Sequence, residues 1–123
     1  MQHILYVEDH MDTIDLVQQI FEDQFIIDWA TSVEDAKMLL NEHTHKLILM
    51  DIALRGKFTG IDYVKELKSD MALRHIPVVA LTAFAGSYDR ATALSAGFDE
   101  YIEKPFEPSL LMEVVARFLP GHT

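Results

Sequence analysis

The stretch Leu47-Ile48-Leu49-Met50-Asp51 decides how the rest of the sequence is interpreted, because an unbroken apolar run ends there on an acid. A short, continuous apolar run of this kind is typical of a strand that is buried on both faces of a sheet. In an open parallel sheet, ligands bind at the carboxyl ends of the strands. Asp51, directly after the run, is therefore the first candidate site residue.

Similar apolar runs recur on both sides of this stretch. They cover residues 4–7, 25–30, 78–81 and, more weakly, 98–102. Between the runs, apolar residues return at helical spacing. The resulting stripes are Ile14, Val17, Ile20 and Phe21; Val33, Ala36, Leu39 and Leu40; Ile61, Val64, Leu67 and Met71; the alanine-rich stretch 89–96; and Leu110, Leu111, Val114, Val115 and Phe118.

Local signals mark the ends of these helices. Ser32 followed by Asp35 resembles a capping box at the start of the second helix. Gly97 readily adopts the left-handed conformation that ends a helix, and Pro108 suits the first position of the last helix. Trp29, near the end of the second run, is interpreted as a packing residue.

Strands that alternate with helices five times predict an α/β fold. Each parallel crossover needs a covering element, so we expect a parallel sheet with helices on both faces. The 123 residues correspond to one domain. Half of the residues are hydrophobic and 24% are charged, which excludes general disorder.

Composition also excludes several classes of function. The chain has no cysteine, so disulfides, thiolate metal sites and cysteine nucleophiles are excluded. A formal charge of −10 argues against direct binding to nucleic acid or to anionic membranes. No apolar run approaches the length of a membrane span, and the N-terminus lacks the pattern of a signal peptide. These features favour a soluble cytoplasmic domain.

Polar residues follow the predicted strands at one edge of the sheet. Glu8 and Asp9 end the first strand, Asp51 the third and Thr82 the fourth, and Lys104 follows the fifth. Three neighbouring carboxylates repel one another, and a hard cation such as Mg²⁺ relieves this repulsion. A lysine and a hydroxyl are suitable partners for a transferring phosphoryl group, and an aspartate can be its nucleophile.

These motifs, in this order, resemble the response-regulator receiver domain of two-component signalling. The resemblance covers most of the chain, from Ile4 to Leu119. It is carried by Val7-Glu8-Asp9, Leu49-Met50-Asp51-Ile52, Gly60, Leu81-Thr82-Ala83, Ala96-Gly97-Phe98, Tyr101 and Lys104-Pro105-Phe106. It implies a flavodoxin-like fold with five parallel strands in the order 2-1-3-4-5. Residues 1–123 are then a single receiver domain without an output domain.

The resemblance also implies roles for the site residues. Asp51 would accept a phosphoryl group from a phosphohistidine, and Lys104 would pair with the phosphoryl oxygens. Thr82 would hydrogen-bond the phosphoryl group, and Tyr101 would rotate inward behind it. The Lys104-Pro105 peptide would be cis. Mg²⁺ would be held by Glu8, Asp9, Asp51 and the backbone carbonyl of Ala53.

Partners follow from the same resemblance. The phosphoryl donor would be a sensor histidine kinase or a histidine phosphotransfer protein. A downstream protein would dock on the surface of the fourth helix, fifth strand and fifth helix, and a homodimer through this region is left open. The chain would be a signalling module that catalyses its own phosphoryl transfer and hydrolysis, not an enzyme acting on a separate metabolite.

Two features depart from the family pattern. The loop 53–60 lacks the proline that is common there and is one residue longer than the usual form. His10 follows the acidic pair where a small polar residue is more usual, and no role is assigned to it. His43 and His45 resemble a metal-binding pair, but without further ligands nearby in the sequence we interpret them, like the other histidines, as solvated.

Three alternative functions stay open at this point. A Mg²⁺-dependent phosphatase with an aspartyl nucleophile would share the acidic rim, but its usual second aspartate is replaced by Ala53. A flavin-binding electron carrier would need a phosphate loop where this chain has Glu8 and Asp9. A degenerate receiver would act as a phosphorylation-independent interaction module, but it usually loses an acid, the acceptor or the lysine.

Overall fold

Five parallel strands and five helices alternate along the chain in the computed structural model, which describes residues 1–54, 59–83 and 89–120. The elements are β1 (Gln2–Val7), α1 (Met11–Phe21), β2 (Phe25–Ala30), α2 (Val33–Glu42), β3 (His45–Met50), α3 (Thr59–Ser69), β4 (Val78–Thr82), α4 (Arg90–Ala96), β5 (Glu100–Glu103) and α5 (Pro108–Phe118). The strands form one sheet in the order β2-β1-β3-β4-β5. The predicted α/β fold and strand order are thus confirmed.

The sheet is covered on both faces, as its continuous apolar strands predict. Successive side chains of a strand point to opposite faces. Leu5 and Val7 of β1 pack in a cluster with residues of α2, α3 and α4, whereas Ile4 and Tyr6 pack in a second cluster with residues of α1 and α5. The central strands β1 and β3 are therefore buried on both sides, and only their ends can carry polar groups that reach solvent.

The predicted helix signals are present in the structure. The Ser32 hydroxyl accepts a hydrogen bond from the Asp35 N–H at 3.1 Å, which caps α2. Gly97 ends α4 with a φ of 125°, in the left-handed region that favours glycine. Pro108 is the first residue of α5. Helix α4 begins one residue later than expected, because Asp89 is its N-cap and accepts from the Thr92 N–H at 2.9 Å.

Three packing predictions are wrong. Met71 is 81% exposed, because α3 ends at Ser69 and the Asp70 carboxylate starts a turn by accepting from the Ala72 N–H. Leu110 is 43% exposed, because it lies beside the buried stripe of α5 rather than in it. Trp29, interpreted from the sequence as a packing residue, is 37% exposed. Strand β5 also begins two residues after Phe98, where the prediction placed its start.

Every helix in residues 1–54, 59–83 and 89–120 is too short or too polar to cross a lipid bilayer.

Candidate functional site

The predicted site residues gather at the carboxyl edge of the sheet, where the strand ends are joined by backbone hydrogen bonds. The N–H of Asp51 donates to the carbonyl of Val7 at 3.0 Å, which places Asp51 beside Glu8. The N–H of Lys104 donates to the carbonyl of Thr82 at 2.9 Å. Parallel pairing of four neighbouring strands thus brings residues that are 96 positions apart into contact.

Glu8 is the most enclosed group of the site, since it is fully buried at the end of β1. Its Oε1 atom accepts from the Tyr6 hydroxyl at 2.8 Å and is in contact with the Lys104 ammonium. Its Oε2 atom accepts from the Asp9 N–H at 3.1 Å. Burial by itself would raise the pKa of Glu8, but the hydrogen bond and charge of Lys104 outweigh it and hold the pKa below its ordinary value. Glu8 is therefore ionised and paired.

Asp51 lies beside this pair and is only 3% exposed. Its Oδ1 atom accepts from the Ala53 N–H at 3.1 Å, and its Oδ2 atom lies 3.5 Å from the Lys104 Nζ. Burial and the negative charge of Glu8 raise its pKa to about 6, although Lys104 acts in the opposite direction. Asp51 thus carries a charge that its surroundings do not fully compensate.

A four-residue set at this edge offers ligand atoms for a cation. One ligand atom from each of Glu8, Asp9, His10 and Asp51 lies within 4.8 Å of the others. The three carboxylates are hard oxygen donors of the kind that Mg²⁺ prefers. A bound divalent cation would also remove the repulsion that raises the pKa of Asp51. The donor set therefore fits the predicted magnesium site.

Sequence reasoning assigned no role in this site to three residues that the structure places there, Tyr6, His10 and Trp29. Tyr6 is buried and donates to Glu8, and the alternation of side chains along a strand, which puts positions 6 and 8 on one face, is a signal that could have found it. The His10 Nδ1 lies 3.0 Å from Glu8 Oε2 and 3.2 Å from Asp9 Oδ1. The hydrogen bond to Glu8 raises the pKa of His10. Trp29 reaches the same site from β2, because its Nε1 donates to the Glu8 carbonyl at 3.3 Å.

Gly60, the second residue of α3, packs against the backbone that carries Asp51. A Cβ atom at this position would lie 2.5 Å from the Asp51 carbonyl oxygen and 2.8 Å from the Ile52 Cα. The Gly60 N–H also donates to the Ile52 carbonyl at 2.9 Å. Only glycine allows this close approach of α3 to the strand end.

The other predicted residues lie around the same edge. Thr82 is buried at the end of β4. Tyr101 is half-buried on β5, opposite Ala80 of β4, and packs against the cluster shared with α4. The Lys104-Pro105 peptide bond is cis, the geometry expected for it. Of the variant loop 53–60, residues 55–58 lie outside the part of the chain that the structure describes.

The sequence and the fold of the chain are similar to those of known proteins. The family model of the response regulator receiver domain matches residues 4–116. The chain is 36% identical over 118 residues to an uncharacterized 14.6 kDa protein of the sodA1 3' region in Leptolyngbya boryana, with 94% of this chain and 88% of that protein covered. It is 40% identical over 117 residues to PhoB, the phosphate regulon transcriptional regulatory protein of Escherichia coli K12. That match covers 94% of this chain but 49% of PhoB, so the chain spans about half of that relative's length.

A solved structure extends the similarity to a metal-bound relative. The receiver domain of the sensor histidine kinase PA1611 from Pseudomonas aeruginosa PAO1 superposes with a TM-score of 0.82 at 27% identity. The match covers 96% of this chain and 97% of that domain. In that structure a magnesium ion is coordinated in the active site cleft.

Proposed function

The chain belongs to the response regulator receiver domains, which are signalling domains of phosphorelays, and from that premise we propose that Asp51 is its phosphoacceptor. The observation that carries the proposal is the contact of one ammonium with two buried carboxylates. Lys104 touches Glu8 and lies 3.5 Å from Asp51. This arrangement holds Lys104 where it can bind a phosphoryl group on Asp51.

The proposed transfer is a displacement at phosphorus. An Oδ atom of Asp51 forms a bond to the phosphorus of a phosphohistidine while the phosphorus–nitrogen bond breaks, and the histidine nitrogen leaves and takes up a proton. Lys104 stabilises the negative charge of the phosphoryl oxygens. The Ala53 N–H, which already donates to Asp51 Oδ1, keeps the carboxylate oriented.

We assign magnesium binding to Glu8, Asp9, Asp51 and the backbone carbonyl of Ala53. When bound, the ion would neutralise the carboxylates and the charge of the phosphoryl oxygens. The raised pKa of Asp51 is consistent with this assignment, because burial and, after it, the negative charge of Glu8 disfavour an uncompensated carboxylate there.

The proposed response to phosphorylation begins at Thr82 and Tyr101. A phosphoryl group adds roughly two negative charges and three acceptor oxygens. Thr82 would hydrogen-bond one of these oxygens, and Tyr101 would turn further into the sheet from its half-buried position. Both residues lie on the strands next to α4, so their movement would change the surface formed by α4, β5 and α5.

That surface is the proposed docking site for a downstream protein. It carries the exposed apolar residue Leu94 of α4, which a partner would bury. The phosphoryl donor would be a sensor histidine kinase or a histidine phosphotransfer protein. The same surface would serve for a homodimer.

The test is intact mass spectrometry after incubation with acetyl phosphate and Mg²⁺. We expect one added phosphoryl group, which is absent without metal and absent in Asp51→Asn. If the adduct is missing, the same sample with beryllofluoride separates two outcomes by fluorescence of Trp29 or by NMR. A beryllofluoride complex indicates rapid hydrolysis, and no complex indicates a degenerate receiver, which would overturn the proposal.

A further inference from the structure

Three histidines and one aspartate form a second polar cluster at the opposite, amino-terminal edge of the sheet. His3 lies on β1, Asp28 on β2 and His45 at the start of β3, and His43 follows α2 as its C-cap. His45 is only 3% exposed. The interpretation of these histidines as solvated is therefore wrong for His45, and His3 is half-buried.

A register irregularity brings the cluster together. His3 pairs with His45, but the next residue of β1, Ile4, pairs with Leu47, so β3 carries Lys46 as an additional residue. Such a bulge changes the face to which a side chain points. His45 consequently points to the same face as His3, where both reach Asp28.

One carboxylate oxygen organises the cluster. Asp28 Oδ2 lies 2.7 Å from the His3 Nδ1 and 2.7 Å from the His45 Nε2. The rings of His3 and His43 are stacked, with centroids 4.5 Å apart and an angle of 14° between their planes. Four side chains from three strands and a helix end thus share one small volume.

The donor atoms match a transition metal better than magnesium. Ligand atoms of His3, Asp28 and His43 lie within 4.8 Å of one another. Two ligands of a tetrahedral zinc ion are separated by about 3.4 Å, since each bond is about 2.1 Å long. A small adjustment would bring the three donors to coordinating distance, and the exposed His43 is free of the strand pairing that fixes His3 and Asp28. Imidazole nitrogen is a preferred ligand of zinc and a poor one for magnesium.

We propose that His3, Asp28 and His43 bind a divalent transition metal ion of the zinc type, and that His45 is the positioning residue for Asp28. The Nδ1 atom of His45 is buried and accepts no hydrogen bond within the described residues, so its proton lies on Nε2, where it is donated to Asp28. A ligating carboxylate that is held by such a partner binds metal more tightly.

This site is independent of the proposed phosphoacceptor site. His3 and Glu8 are five positions apart, which corresponds to about 16 Å along the direction of β1. Metal bound here would tie β1, β2 and the end of α2 together at the edge that the acidic site does not touch. Because the unfolded chain lacks the assembled site, binding would stabilise the fold.

Calorimetric titration with Zn²⁺ in excess Mg²⁺ tests the proposal, because Mg²⁺ competes for the carboxylate site. We expect one equivalent of Zn²⁺ to bind with a dissociation constant in the micromolar range. His43→Ala should weaken binding by about tenfold or more, and this exposed residue can be replaced without unfolding the chain. His75→Ala is the matched control, since His75 is an exposed histidine in the turn before β4 and should change nothing.

Two further variants make each outcome decisive. Asp28→Asn keeps the shape of the side chain and should also weaken Zn²⁺ binding, whereas Asp9→Asn, in the acidic site, should not. Zinc binding that is lost in Asp9→Asn and kept in His43→Ala would place the ion in the acidic site and overturn the proposal. Absence of binding, or half an equivalent with dimer formation, would overturn it as well. None of these results bears on phosphorylation of Asp51.

Discussion

The two edges of the sheet hold opposite kinds of polar cluster on the same strands. At the carboxyl edge, acids exceed bases, and Asp51 has a raised pKa because it is buried beside Glu8. At the amino edge, imidazoles exceed acids, and burial lowers the pKa of His45 although Asp28 acts in the opposite direction. The negative charge that the fold leaves uncompensated at the carboxyl edge is where a cation can bind. The hydrogen-bonded cluster at the amino edge instead presents nitrogen ligands.

The largest expected effect tests the close packing behind the carboxyl edge. Gly60→Ala should destabilise the fold by about 3 kcal/mol or more, because the new Cβ would meet backbone atoms that cannot move aside. Chemical denaturation measures the change. Gly97→Ala is the control: its cost of about 1–2 kcal/mol comes from the left-handed φ, because the nearest atom to a new Cβ is the Cγ of the flexible Lys68 side chain, at 3.2 Å, rather than backbone. Equal losses in the two variants would show that the contact with Asp51 is unimportant.

The next largest expected effect is that of the Asp51 charge on the stability of the metal-free protein. Its folded pKa of about 6 exceeds the ordinary 3.8, so the folded state binds this proton more tightly. The stability that the proton contributes is fully present below about pH 4 and is lost as the pH rises through about 6. Asp51→Asn should therefore stabilise the metal-free fold at pH 7 by about 2 kcal/mol. Thermal unfolding in a chelator measures this change.

Adding magnesium should have the opposite effect on the relative stability of the wild type and Asp51→Asn. Magnesium should raise the melting temperature of the wild type, because it binds the folded acidic site and not the unfolded chain. The rise should be smaller in Asp51→Asn, which lacks one carboxylate ligand. If metal-free Asp51→Asn melts at or below the melting temperature of the metal-free wild type, the charge repulsion argued for this edge is contradicted.

A smaller effect separates a hydrogen-bonded buried tyrosine from one without a partner. Tyr6→Phe should cost about 1.5 kcal/mol, because the hydroxyl donates to an ionised, buried Glu8. Tyr63→Phe is the matched control, since the Tyr63 hydroxyl is buried without a hydrogen-bond partner in the described part of the chain. That control should be neutral or slightly stabilising. Both values come from denaturant titration, and a Tyr6→Phe cost no larger than that of the control would remove the role of Tyr6.

The smallest effect is a pH dependence of opposite sign at the amino edge. The folded pKa of His45 is lowered, so its contribution to stability is present above the unfolded value of about 6.5 and is lost as the pH falls below it. In the metal-free protein, His45→Gln should reduce the loss of folding stability that occurs as the pH falls from about 7 to 5. His75→Ala, which changes an exposed ring, should leave that profile unaltered. A profile that is unchanged in His45→Gln would show that His45 titrates as it does in the unfolded chain.

The elements and the acidic edge were predictable because they depend on local order in the sequence. Continuous apolar runs predicted the strands, and the polar residue after each run predicted what reaches the shared edge. The errors occurred where a local turn overrode periodicity. Met71 continues the stripe of α3 in spacing, but the turn begun by Asp70 takes it out of the helix.

The sequence by itself determined the fold class, the strand order implied by the family resemblance, and the candidate set Glu8, Asp9, Asp51 and Lys104. Hydrophobic patterning and strand-end residues encode these features within a few positions of the chain. Only the tertiary structure decided how the charges are shared, for example that Lys104 contacts Glu8 more closely than Asp51. It also decided that His3, Asp28 and His45 meet, because a shift of strand register between distant segments leaves no periodic signal in the sequence.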